Sequence, residues 1–298
     1  MPSSRSSEHA LSPPKPFELR LALFGHGFVD LAPNAWHPEE GTFTTALELG
    51  GRGVELRVRD RRGRLQVKVH GARDRAEAQR AIAALTHMLR LEDDLAPFWR
   101  LCAGEPRLAW VARRGAGRLT RSPALFEDLA KLLMTTNCSW AATRNMTARL
   151  VAALGAETPS GRRAFPSAEV CAERSERFFR EEGRLGYRAG ALRTLARDFA
   201  RGALRPADFQ DPRLPTDELR ERLLALPGFG PYAAGQALRL LGRYDDFALD
   251  SWCRARLGAL AKSGRAPSER TLRRRYARYG AWRGLALWMD LTADWHGE

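Results

Sequence analysis

The apolar periodicity of this chain changes once, near Ala72, and that change constrains the fold more than any other feature. Between residues 16 and 70, PFELRLALFG, TFTTALELGG, VELRVRD and LQVKVHG alternate apolar and polar side chains, the spacing of half-buried strands. RRG at 61–63 supplies a hairpin turn. Beyond Ala72 the apolar residues recur every three to four positions, first in RAEAQRAIAALTHMLRLEDDLAPFWRLC, then in PALFEDLAKLLMTTN and AATRNMTARLVAALG. DELRERLLAL, PYAAGQALRLLG, SWCRARLGALAK and WRGLALWMDLTADW continue the helical spacing almost to the end. Gly155, Gly202 and Gly242 stand where helix C-caps are expected. The expected fold is α+β: a small N-terminal antiparallel sheet domain with a helix at 15–95, packed on a large all-helical region at 96–298.

The first fourteen residues, MPSSRSSEHALSPP, are Ser/Pro-rich and lack the apolar core of a signal peptide. They read as a disordered tail. No run of about 18 apolar residues occurs, so a membrane span is not expected, and the expected location is the cytoplasm. Lys plus Arg number 49 against 35 Asp plus Glu, a formal charge of +14. Such an excess suits a polyanionic partner, most simply nucleic acid, and equally a surface charged for solubility. Nearly all of it is arginine, a bias that a GC-rich genome also produces. Cysteines stand at 102, 138, 171 and 253 without CxxC spacing, and six histidines are scattered. No zinc or iron–sulfur ligand set is visible, so no metal is expected and the thiols read as free and buried.

LPGFGPY (226–232) interrupts the helical stretch. Pro227-Gly228 ends one helix, Phe229 is expected to point inward, Gly230 turns the chain again, and Pro231 suits the first position of the next helix. Gly228 and Gly230 would let a phosphate approach the backbone, with the N–H groups opening the second helix as anion ligands. A ligand-free joint between two helices is the plain alternative.

Asp250 stands eighteen residues beyond Tyr232, just ahead of a helix starting near Ser251. By itself it reads first as an N-cap, for which aspartate is favoured. The second reading is chemical. Breaking a nucleoside's C1′–N bond creates an oxocarbenium-like sugar, which a carboxylate beside C1′ stabilises while orienting or deprotonating the attacking water. A helix N-terminus favours the ionised form of such a group.

Taken together, LPGFGPYAAGQAL…LDSW resembles the signature of the helix–hairpin–helix DNA glycosylases, the HhH-GPD superfamily. The resemblance spans roughly residues 16 to 296 and is strongest from 120 onward, with two helical subdomains flanking a DNA cleft. It implies that Asp250 is the catalytic aspartate and that Gly228, Phe229 and Gly230 form the loop holding a DNA phosphate. SPALFEDLAKLLMTTNCSW resembles the segment that fills the gap left by a flipped base, which makes Asn137 the plug. LGYRA resembles the loop whose tyrosine, here Tyr187, wedges beside the orphaned partner base. The N-terminal sheet suits the 8-oxoguanine and 3-methyladenine II branches, and AWRGLALWMDLTADW is most similar to the latter.

Two departures sharpen the implied activity. Bifunctional members carry a Schiff-base lysine in the slot that Tyr232 fills, so base hydrolysis without strand nicking is expected. The cysteine motif that ligates an iron–sulfur cluster in one branch is absent, and no cofactor is implied. The implied base pocket comprises Tyr232, Gln236, Trp252, Trp288, Leu291 and Phe28, the tryptophans having core packing as their plain alternative. An aromatic pocket attracts cations, and N3- or N7-alkylated purines are cationic. Leu291 and Leu287 occupy the positions where the 8-oxoguanine branch uses a stacking phenylalanine and an edge-reading glutamine. The resulting expectation is a monomeric, monofunctional glycosylase acting on damaged, alkylated purines in double-stranded DNA. Excision of oxidised or deaminated bases is the alternative within the same chemistry; a catalytically silent binder of DNA structure is the alternative outside it.

Overall fold

The computed structural model describes residues 6–261 and 263–297. Five antiparallel strands, β1 (Ser6–Leu11), β2 (Ala35–His37), β3 (Thr42–Leu49), β4 (Arg52–Arg61) and β5 (Arg64–His70), form one sheet in the order β1-β5-β4-β3-β2. The β3–β4 register runs from Thr42 opposite Arg59 to Leu49 opposite Arg52. Alternation then puts Val54, Leu56 and Val58 of β4 beside Leu65, Val67 and Val69 of β5 on one buried face. Ala78, Ala81, Leu85 and Met88 of the helix Arg75–Met88 join them in that core. Asp74 caps this helix by accepting the Glu77 N–H at 2.8 Å.

Two segments depart from the sequence expectation. Part of the supposed disordered tail is strand: Ser6–Leu11 pairs with β5, Ser6 opposite His70 and Leu11 opposite Leu65. SSEHAL has no fully buried side chain, so no apolar pattern announces it. Backbone hydrogen bonds to an otherwise open sheet edge hold it. LRLALF, read as strand, is the helix Leu19–Phe24. Leu19 and Leu23, four apart, enter the sheet core, while Leu21 enters a helical core on another side. A short helix can divide its apolar residues between two cores in this way, and the alternation of six residues does not distinguish it from a strand.

The helical remainder has two cores. One gathers Leu125, Leu129, Leu192, Leu219, Phe229 and Leu238, with Phe28 and Leu31 reaching in from the N-terminal part. The other gathers Phe98, Trp110, Phe247, Leu257, Leu285 and Trp288. The sheet sits against the helical part at Gly53, where a Cβ would come within 2.6 Å of the Ala156 carbonyl oxygen, so only glycine fits. Gly202 and Gly242 follow helix ends in the left-handed conformation, whereas Gly155 ends its helix with φ of −67°. Cys102, Cys171 and Cys253 are buried, but Cys138 is exposed in the turn between two helices. No described helix is long and apolar enough to cross a membrane.

Candidate active site

The hairpin joins the helices Thr216–Leu224 and Pro231–Leu240. Its two glycines differ. Gly228 has φ of 77°, which favours glycine, and a Cβ there would meet Leu133 Cδ1 at 2.6 Å, so that side chain would have to shift. Gly230 is extended (φ −114°, ψ −172°), and nothing lies within 4 Å of a Cβ built on it. It is the N-cap, with Pro231 opening the helix, whose first-turn N–H groups have no carbonyl within the helix to bond. Phe229 is buried in the core and anchors the loop. Gly228, Gly230, Tyr232, Asp250, Asn137 and Tyr187 line one open groove.

Asp250 is the N-cap of the helix Ser251–Leu260. Its Oδ1 accepts the Cys253 N–H at 2.6 Å and its Oδ2 accepts the Gln236 side-chain amide at 2.8 Å. The chain reaches it through Ala248, a non-glycine residue with φ of 46°, whose Cα lies 3.2 Å from the Cβ position of Gly235. That close approach presses the Asp250 turn against the hairpin's second helix.

Beside the groove opens a cavity of about 450 Å³ where the two helical cores meet. Tyr232, Gln236, Asp250, Trp252, Trp288 and Phe28 all line it. Leu291 does not: it is 1 % exposed and belongs to the second helical core. Three residues from Trp288, it lies on the same helix but faces away from the cavity. Trp252, Trp288 and Trp295 pack mutually, with ring centroids 5.3–5.6 Å apart. Trp288 also donates its indole N–H to the Gly25 carbonyl at 2.8 Å, tying the last long helix to the first turn. Trp140 also lines the cavity. Its ring passes 3.1 Å from the Cβ position of Gly27, and its N–H donates to Asp30 Oδ2 at 3.2 Å.

The polar groups of the wall are tuned by burial. His26 is held neutral, its pKa lowered to about 3 by burial first and by the Arg239 charge second, with Gln236 opposing. Burial likewise raises the Tyr232 phenol, which stays protonated at neutral pH. Asn137 has φ of 45°, a conformation asparagine tolerates better than most residues. Its amide donates to the Tyr187 hydroxyl at 3.3 Å, and the Arg188 guanidinium lies 4.4 Å from the Tyr187 ring centre. The two residues named as plug and wedge thus touch at the groove's edge.

No protein-family model matches the chain, and no curated protein matches it. Solved structures do. A 3-methyladenine DNA-glycosylase from Archaeoglobus fulgidus superposes with a TM-score of 0.72 at 20 % identity, covering 97 % of this chain and 99 % of that one. MBOgg1 in complex with a low-affinity DNA ligand gives 0.76 at 16 % identity, with 99 % of each chain covered. The Clostridium acetobutylicum 8-oxoguanine glycosylase/lyase in its apo-form gives 0.67 at 18 % identity, covering 90 % and 93 %. The chain has the helix–hairpin–helix glycosylase fold.

Within this glycosylase fold, sequence reasoning missed His26, Trp140, Trp295 and Arg239. Trp295 follows Trp288 by seven residues but lies in the separate 3-10 turn Ala293–His296, while Arg239 follows Gln236 by three and Tyr232 by seven on one helix, spacings that share a face. That spacing was a usable signal. His26 and Trp140 carried none, since only tertiary contact brings GHGF against the start of the helix Trp140–Leu154. Among the described residues, no group of three or more His, Cys, Asp or Glu side chains is placed to hold a metal ion.

Proposed function

We propose that the chain is a DNA glycosylase of base excision repair that hydrolyses the N-glycosidic bond of a flipped, alkylated purine and leaves the strand intact. The observation that carries this reading is a single arrangement: an anchored carboxylate at the mouth of an aromatic cavity, beside a hairpin able to hold a phosphate. The glycosylase fold and the formal charge of +14 support double-stranded DNA as the partner. One chain carries hairpin, plug and cavity together, as a monomer acting on bent DNA requires.

In this reading Asn137 and Tyr187 occupy the gap as the target nucleotide rotates into the cavity. Asp250 faces the sugar. As the C1′–N bond lengthens, its electron pair leaves with the base, and an N-alkylated purine departs neutral. The carboxylate stabilises the oxocarbenium-like sugar, water adds its oxygen to C1′, and Asp250 accepts the proton that water loses. Arg239 already stacks on Trp288, 4.1 Å from a ring centroid. Trp252, Trp295, Trp140 and Tyr232 are therefore the rings available to a cationic base.

Among the described residues, the placement of the amines supports hydrolysis rather than nicking. Tyr232, a neutral phenol, stands beside Asp250, and of Lys15, Lys68 and Lys131 none lines the cavity or the groove. Lys131 is wholly buried and paired with Glu127 at 2.5 Å. The test is a set of duplexes carrying single 3-methyladenine, 7-methylguanine, hypoxanthine or ethenoadenine lesions, scored for abasic sites by alkaline cleavage. Release of the methylated purines, with strands intact until alkali, is expected. Release of none of them overturns the alkylation reading.

A further inference from the structure

Behind Asp250 lies a chain of hydrogen bonds that ends on a buried cation. Arg239 is 4 % exposed and sits on the hairpin's second helix, one turn beyond Gln236. Its Nη1 donates to Gln236 Oε1 at 2.7 Å, and its Nη2 donates to the Phe247 carbonyl at 3.2 Å. Gln236 in turn donates through Nε2 to Asp250 Oδ2 at 2.8 Å. We propose that Arg239 is a positioning residue for catalysis, acting through Gln236 to fix the orientation of the Asp250 carboxylate. The proposal rests on the glycosylase reading above.

The chemistry allows one polarity. A guanidinium has donors and no acceptor, so the Gln236 carbonyl oxygen must face Arg239. The Gln236 NH₂ must then face Asp250 and donate to it. With Oδ1 held by the Cys253 N–H and Oδ2 by Gln236, the carboxylate plane is fixed at two points before any substrate arrives. The remaining lone pairs are aimed, which is what stabilisation of a developing cation requires. Without Arg239 the Gln236 amide is free to rotate and present its oxygen to Asp250, an acceptor facing an acceptor. Arg239 is itself held from the other side, over the ring of Trp288. Cavity wall and catalytic carboxylate therefore share one support.

A double-mutant cycle decides the matter, read in single-turnover base release from a lesion duplex and in affinity for a duplex carrying an uncleavable tetrahydrofuran site. Gln236→Met is expected to slow release roughly tenfold to a hundredfold while leaving duplex affinity within about threefold, the usual size of an orienting contact. Arg239→Met should cost a similar factor in the wild-type background and less than about threefold in the Gln236→Met background. Gln236→Glu gives a second arm if Arg239→Met does not fold, because glutamate still accepts from Arg239 but cannot donate to Asp250. It should slow release as Gln236→Met does. Multiplicative losses in the cycle, or a Gln236→Glu chain as fast as wild type, overturn the relay. A wild-type chain that releases no lesion overturns the glycosylase reading itself, and the role assigned to Arg239 falls with it.

Discussion

Asp250 accepts the backbone N–H of Cys253 at 2.6 Å while standing in the wall of the aromatic cavity. The two readings of this residue, helix cap and catalytic group, therefore describe one geometry. Capping holds the carboxylate at the start of the helix, and the proposed function sets the sugar against that same group.

Replacement of Asp250 by asparagine separates the two. Asparagine caps nearly as well as aspartate, so thermal unfolding should show a loss below about 1 kcal/mol. Base release should fall by a factor of about 100 or more, because the charge opposite the oxocarbenium-like sugar is gone. Substantial residual release would place the catalytic carboxylate elsewhere.

Tyr232→Phe keeps the ring and removes only a hydroxyl that burial holds protonated. Release should remain within roughly tenfold of wild type, the cost of one hydrogen bond or less. For the wild-type chain, borohydride added during turnover should trap no covalent DNA adduct. A trapped adduct would reveal an amine nucleophile and contradict the hydrolytic assignment.

The hairpin glycines should respond unequally. Gly228→Ala meets Leu133 and Ala191 in a left-handed conformation, and a loss of about 1–3 kcal/mol in urea unfolding is expected. Gly230→Ala meets nothing and keeps an ordinary extended backbone, so stability should hold. Its added methyl group lies where a phosphate would approach, so affinity for every duplex should fall alike. Lesion-specific loss would argue against a phosphate site.

Two buried groups set opposing pH dependences. His26 falls from 6.5 to about 3 through burial, so its contribution is complete above pH 6.5 and lost as pH drops toward 3. Asp128 rises from 3.8 to about 7, also through burial, although it accepts the Ser122 N–H at 2.7 Å. Its contribution is complete below pH 3.8 and lost as pH rises toward 7. Between about pH 4 and 6.5 the two slopes oppose each other, each at most about 1.4 kcal/mol per pH unit. Relative to wild type, Asp128→Asn should make stability climb more steeply with pH, and His26→Gln should make it decline. Urea midpoints at pH 4.5 and 6.5 measure both, and unchanged slopes would refute the assignment.

What could be read from the sequence was local. The strand-to-helix change, the LPGFGPY turn and the Asp250 cap each lie within a few consecutive residues, and period or turn chemistry exposes them. Leu291, carried into the pocket by the resemblance, is 1 % exposed and packs in the second helical core, a placement that a matched position alone does not reveal. β1 was missed because its support is another strand's backbone, and the helix Leu19–Phe24 because six alternating residues fit either structure. The GHGF turn acquires a role only after packing brings it across the molecule to Trp140 and Trp288.

That crossing also bears on synthesis. Gly25 and Trp288, joined by one hydrogen bond, are 263 residues apart, so a growing chain has its hairpin and Asp250 well before it has a complete cavity wall. Folding from the N-terminus proceeds while the ribosome still holds the last helix. On the proposed function, an incomplete chain would carry the hairpin and Asp250 yet lack the wall that Trp288 and Trp295 supply, and base release would arrive only with the last residues.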